Sequence, residues 1–208
     1  MRARCPRLPT ALAVLALTAC SAGDPVPDPA PDPARSSRTP AAEPTTLASY
    51  ETDGVAVSRS PFCDRVSPTG IEHALGDAAR SHRAYGNGDP LRLPDGSRSI
   101  AHEYGCVWTG ADGATARAWV FAPPITRGRA RRLADAALVG RCVRTGTGEF
   151  GSPSVTARCR TEDGLEASWR GLFGDAWLVC SLTDRGSSAA LEERTSEWCV
   201  AVLEAARA

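Results

Sequence analysis

Residues 155–182 read VTARCRTEDGLEASWRGLFGDAWLVCSL, and this stretch decides the fold. Val155, Ala157 and Cys159 alternate with Thr156, Arg158 and Arg160, the two-residue period of a β-strand. Thr161-Glu162-Asp163-Gly164 supplies turn residues. Leu165, Ala167, Trp169 and Phe173 then face one way, against Glu166, Ser168 and Arg170. Gly174-Asp175 turns the chain again, and Ala176, Leu178, Cys180 and Leu182 share a face. Three strands joined by short turns make an antiparallel meander. Downstream, Leu191, Trp198, Cys199, Val202, Leu203 and Ala206 recur at helical spacing, so a closing helix is expected from about Ser188 to Arg207.

Upstream the pattern repeats. Tyr104 to Trp108 and Thr115 to Ala122 flank Gly110-Ala111-Asp112-Gly113, a hairpin signal. In its second arm Ala116, Ala118 and Val120 oppose Arg117, Trp119 and Phe121. Thr126 caps an expected helix with Ala130, Leu133, Ala134, Ala137 and Leu138 as its stripe, ended by Gly140. Ser67-Pro68 starts another near 68–79, because serine caps and proline fits the first turn. Residues 80–100 carry Gly86-Asn87-Gly88-Asp89-Pro90 and Pro94-Asp95-Gly96, and read as a long loop. Val55 and Val57 suggest a short first strand. The expectation is α+β: an antiparallel sheet of about five strands with two or three helices on one face. The polar side of each strand leaves the other sheet face wet or engaged with something.

The N-terminal part reads differently. Arg2, Arg4 and Arg7 precede the apolar run Leu8–Leu17, too short to span a bilayer, which takes about 20 residues. Leu17-Thr18-Ala19-Cys20 has the form of a bacterial lipoprotein signal, so residues 1–19 are expected to be cleaved and Cys20 acylated. An ordinary secretory signal is the alternative. At about 0.8 kcal/mol per buried methylene, two or three acyl chains anchor firmly. Residues 20–50 are expected to form a Pro-rich disordered tether. Within it 24–33, DPVPDPAPDP, favours polyproline II geometry and a span of about 30 Å. Residues 51–208 remain for one domain.

The 208 residues include 24 basic and 24 acidic side chains, and the formal charge is zero; losing the three signal arginines leaves −3. Such a chain lacks the basic footprint of a nucleic-acid binder. Every basic residue except the histidines is Arg. Of the eight cysteines, Cys5 leaves with the signal and Cys20 takes lipid. Cys63, Cys106, Cys142, Cys159, Cys180 and Cys199 remain, an even number that in an exported chain reads as three disulfides rather than a zinc site, since no C-x-x-C occurs. Six cysteines permit 15 pairings. Strand and helix faces favour Cys180 with Cys199. Cys142 follows a helix and Cys159 ends the next strand, so pairing them closes a short loop, which leaves Cys63 with Cys106.

A lipobox, a Pro-rich tether, Cys63 just before the first helix, Cys106-Val107-Trp108 in a strand and Cys199 in the final helix resemble a family of actinobacterial lipoproteins of unknown function. That family is similar in layout to the extracellular sensor domain of some mycobacterial serine/threonine kinases. The resemblance covers roughly residues 60–207. Asp64-Arg65-Val66 stand where the family usually has aliphatic residues, and Cys142 and Cys159 are additions to its usual four. The resemblance implies a sensor-like binding domain and transfers no catalytic residue.

No catalytic pattern stands out. His73, His82 and His102 form no H-E-x-x-H, no G-x-S-x-G elbow occurs, and Gly146-Thr147-Gly148 is neither a P-loop nor a dinucleotide fingerprint. No cofactor or metal is expected. Paired carboxylates for glycan hydrolysis are a tertiary feature that sequence does not display. Two groups invite a ligand. Arg117, Trp119 and Phe121 lie on one strand face; the alternative is burial under residues 80–100. Arg127, Arg129, Arg131 and Arg132 crowd a helix start, against its dipole; they suit an anionic polymer or headgroup, or are simply solvated. The expectation is a non-enzymatic module at the membrane, anchored through Cys20, that binds an envelope ligand or protein partner. A wall hydrolase and a structural envelope protein are the rivals.

Overall fold

A computed structural model describes residues 45–92, 96–145 and 150–208. In chain order the strands are β1 (Ser81–Tyr85), β2 (Pro90–Arg92), β3 (Arg98–Ile100), β4 (Glu103–Thr109), β5 (Thr115–Phe121), β6 (Cys142–Arg144), β7 (Ser154–Arg160), β8 (Leu165–Phe173) and β9 (Ala176–Asp184). The helices are α1 (Pro68–Leu75), α2 (Arg127–Ala136) and α3 (Ser188–Ala206). Seven strands form one antiparallel sheet in the order β1-β4-β5-β9-β8-β7-β6, and β2 and β3 pair as a separate ribbon. The protein is thus α+β, with more strands than the five expected. The expected signal (1–19), Cys20, most of the 20–50 tether and Gly146-Thr147-Gly148 lie outside the described residues.

Local chemistry sets the helix ends. The Ser67 hydroxyl accepts from the Gly70 N–H at 3.1 Å, with Pro68 in the first turn, and Thr126 does the same for Arg129 at 3.3 Å. α1 stops at Leu75, short of the expected 79, because Gly76 takes the left-handed conformation (φ 78°) that glycine adopts without strain.

Both faces of the sheet carry a core. On the first, α1 and α3 lie over Trp108, Ala116, Ala118, Val120, Leu178, Cys180 and Leu182. On the second, α2 brings Ala130, Ala134 and Ala137 onto Val155, Leu172, Trp177 and Val179. Two helices lie on one face, as expected, and α2 crosses to the other. The register explains it. Thr156 pairs with Trp169 and Ala157 with Ser168, so the apolar set of β7 points away from the apolar set of β8. The second face is therefore wet over only part of its width.

Three further expectations shift. Residues 80–100 are not simply a loop: β1 joins the sheet beside β4, and the β2–β3 ribbon follows. Val57 makes a single bridge to Arg207 instead of a strand. The folded unit also begins before residue 51. Leu47 is only 3% exposed, in the core beside α3, and its N–H donates to the Ser196 hydroxyl at 2.9 Å.

The disulfides join Cys63 to Cys106, Cys142 to Cys159 and Cys180 to Cys199, the pairing expected from the sequence. They tie the chain ahead of α1 to β4, the edge strand β6 to β7, and β9 to α3. Each contributes about 3–4 kcal/mol by restricting the unfolded chain.

Candidate functional site

α2 covers the β7–β9 side of the second face. Over β1 and β4 the same face stays open, and Trp119 and Phe121 of β5 pack against the edge of the α2 cluster. Alternation projects a consistent set of side chains from these three strands. Arg83 pairs with Val107, and Val107 with Arg117, which makes one row. Tyr85 pairs with Gly105, and Gly105 with Trp119, the next. Glu103 and Phe121 make the third. Gly105 is required here: a Cβ on it would collide with the Tyr85 ring. The ring therefore lies across the glycine backbone, with Trp119 on the glycine's other flank.

The polar groups of this floor are organised. The Tyr85 hydroxyl donates to Glu103 Oε1 at 3.1 Å. Burial first, then the Glu103 charge, push the phenol well above its ordinary value, so it remains a neutral donor. The Arg83 guanidinium carbon sits 5.7 Å from the Tyr85 ring centroid, within cation–π range. Among the described residues no carboxylate makes an ion pair with Arg83, Arg117 or Arg129. Elsewhere arginines are engaged, Arg158 with Glu192 at 2.8 Å and Arg194 with Asp184.

Two cavities open on this floor. One, of about 300 Å³, lies among Arg83, Tyr85, Arg117 and Trp119. The other, of about 400 Å³, lies among Ile100, His102, Phe121 and Arg129. Leu91 and Glu103 border both, so they form two compartments of one groove beside the β2–β3 ribbon. Each falls within, or at the lower edge of, the range of about 300–1,000 Å³ typical of small-molecule sites. Toward α2 the floor turns inward. Ser181, opposite Arg117, is buried, and its hydroxyl has no hydrogen-bond partner among the described residues. Arg170 donates to the Ser168 hydroxyl at 3.3 Å and lies 3.6 Å from Glu166. Burial weakens its hold on its proton, and Glu166 offsets part of that.

The structure thus gathers Arg117, Trp119, Phe121 and Arg129 around one groove. Arg127, Arg131 and Arg132 stay exposed on α2 and line neither compartment. Arg83, Tyr85, Leu91 and Glu103 were not singled out from sequence. The one signal for them was the alternation of Arg83 and Tyr85 with His82 and Ala84, in a segment dominated by turn residues. His82 faces the other way and stacks on Trp108, centroids 4.7 Å apart, and His73 Nδ1 lies 2.9 Å from Glu197 Oε2. Among the described residues no group of three His, Cys, Asp or Glu side chains is placed to hold a metal ion. Among the described residues the groove lining holds one carboxylate, Glu103, and one histidine, His102. A separate cavity of about 480 Å³ lies among residues 52–57 and 172–175; its Asp175 is paired with Arg59 at 3.2 Å. No family model matches the chain, and no curated protein matches it.

Proposed function

We propose that this protein is a lipid-anchored extracytoplasmic lipoprotein whose folded domain binds a ligand or partner at the cell envelope without catalysing its conversion. The observation that carries the binding role is the groove: a sheet face packed under α2 on one side and left open on the other, floored by aromatic rings and edged by guanidinium groups that make no ion pair among the described residues. Arg83 and Arg117 are both among these groups, so both are available to an anionic group. Three disulfides suit an oxidising compartment, and Leu17-Thr18-Ala19-Cys20 supports acylation at Cys20. The first described residues pack on the α3 side, so they leave the groove side free.

Two experiments test this reading. Cys20→Ser should release the protein from membranes or leave it unprocessed; a mutant that stays membrane-bound at its mature mass refutes the anchor. The full chain carrying that substitution should melt at a higher temperature in the presence of an envelope extract, and Trp119→Ala should remove the shift. A shift of equal size in both proteins refutes the groove as the binding face.

A further inference from the structure

We infer that the groove takes a small amphiphilic anion, with its carboxylate or phosphate head between Arg83 and Arg117 and its apolar body along Trp119, Leu91 and Phe121. This rests on the open half-face being a binding face, and it names the chemistry that such a face selects.

Charge gives the first half of the inference. Arg83 and Arg117 occupy the same row, separated only by Val107 on the strand between. Two strand spacings put their backbones about 9.5 Å apart, a gap that two long side chains close easily around one anion. Guanidinium forks match carboxylate and phosphate oxygens in geometry as well as charge. Among the described residues Glu103 is the carboxylate on the lining; it keeps its charge while accepting from Tyr85 and makes no ion pair with either arginine. Arg83, Arg117 and Arg129 against one carboxylate therefore leave the lining net positive. Tyr85 stays protonated and offers no competing negative charge.

Shape and polarity give the second half. From the arginine row the groove runs past Trp119 to Leu91 and Phe121, and ends at Ile100, which is 52% exposed. A bare inorganic anion would leave this apolar length empty, and a neutral hydrocarbon would leave the guanidinium groups desolvated and unpaired. Arg129, which shares the far compartment with Glu103, adds a third cation. An occupant with one charged end and a body of several carbons satisfies both halves at once.

The test uses the unacylated full chain, Cys20→Ser, with four probes below their micelle concentrations: decanoate, decyl phosphate, decanol and inorganic phosphate, followed by calorimetry and tryptophan fluorescence. Decanoate or decyl phosphate should bind at least about tenfold more tightly than decanol or inorganic phosphate, the minimum for one charged hydrogen-bonded contact. Arg83→Gln and Arg117→Gln, both at exposed positions, should each remove about tenfold of that affinity and leave decanol unaffected. Their melting temperatures should match the parent, which separates lost binding from lost folding. Equal affinity for decanol and decanoate, or affinity for inorganic phosphate alone, overturns the inference. If all four probes fail while the envelope extract still shifts melting in a Trp119-dependent manner, the ligand chemistry is wrong and the binding face stands. If the extract also fails, both fall.

Discussion

The two halves of the second sheet face differ although both belong to one continuous seven-stranded sheet. Under α2, Val155, Leu172, Trp177 and Val179 meet Ala130, Ala134 and Ala137. Small helix residues let the backbone come close, and the contact is dry. One strand further out, Val179 pairs with Trp119, and from there the face carries Arg83, Tyr85, Glu103 and Arg117. The boundary falls along β5. The contrast teaches that a strand's outward pattern does not by itself say whether that side is core or site. Coverage decides, and coverage is set by where the chain after β5 sends its helix.

The sharpest way to break this contrast is to truncate one tryptophan on each side. Trp177→Ala should cost about 3–5 kcal/mol, the range for emptying a large buried aromatic site, whereas half-buried Trp119→Ala should cost about 1 kcal/mol; urea unfolding reads both. Equal losses would mean that the open half is core as well. Next in size, replacing Cys142 and Cys159 together by serine should cost about 3 kcal/mol and loosen β6 at the covered edge, visible as faster amide exchange there, while binding at the groove persists. Loss of binding in that variant would show that the two halves are not independent.

Paired and unpaired arginines sharpen the comparison further. Burial opposes ionisation of Asp184, but Arg194 and the backbone N–H groups of Arg185 and Gly186 outweigh it and hold the carboxyl below its ordinary value. A depressed carboxyl adds stability that is present above the unfolded pKa and is lost as pH falls through the folded one. Asp184→Asn should therefore cost about 1 kcal/mol near pH 7 and flatten the acid limb of the stability curve. Arg117→Gln should change neither. The smallest effect belongs to α2: Arg127→Gln with Arg131→Gln should raise stability by at most about 0.5 kcal/mol. The gain comes chiefly from Arg127 in the first turn, where a positive charge opposes the helix dipole, and is offset by the 3.4 Å hydrogen bond that Arg127 gives Ser152. A drop in melting temperature would mean that these arginines hold contacts the dipole argument misses.

Much of the framework was legible in the chain. Alternation in β5, β8 and β9, the stripe of α3 and the Ser67 and Thr126 caps are local signals, and all appear in the structure. Of the cysteine pairs, Cys180 with Cys199 followed from those faces, Cys142 with Cys159 from the short loop they close, and Cys63 with Cys106 as the pair left. What was hidden depended on register or on single side chains. β1 is an exposed edge strand whose residues have little apolar surface to alternate, and β6 is three residues long. The side taken by α2 needs the phase of β7 against β8, which a one-residue shift reverses. Leu47 sits in a polar, proline-containing stretch and is visible as core only once α3 is in place. Of the groove, Arg117, Trp119 and Phe121 were marked by one strand's pattern, and Arg129 by its cluster. Tyr85, Glu103 and the glycine between Tyr85 and Trp119 become a unit only through the pairing of β1 with β4.

The most direct test of the half-covered face needs no ligand: oxidative footprinting of the five tryptophans in the native full chain, quantified by mass spectrometry. Trp119 should label readily, and Trp177, which is 2% exposed, should stay protected until the protein unfolds. Equal labelling of the two, or protection of both, would contradict the division of the face into a packed half and an open one.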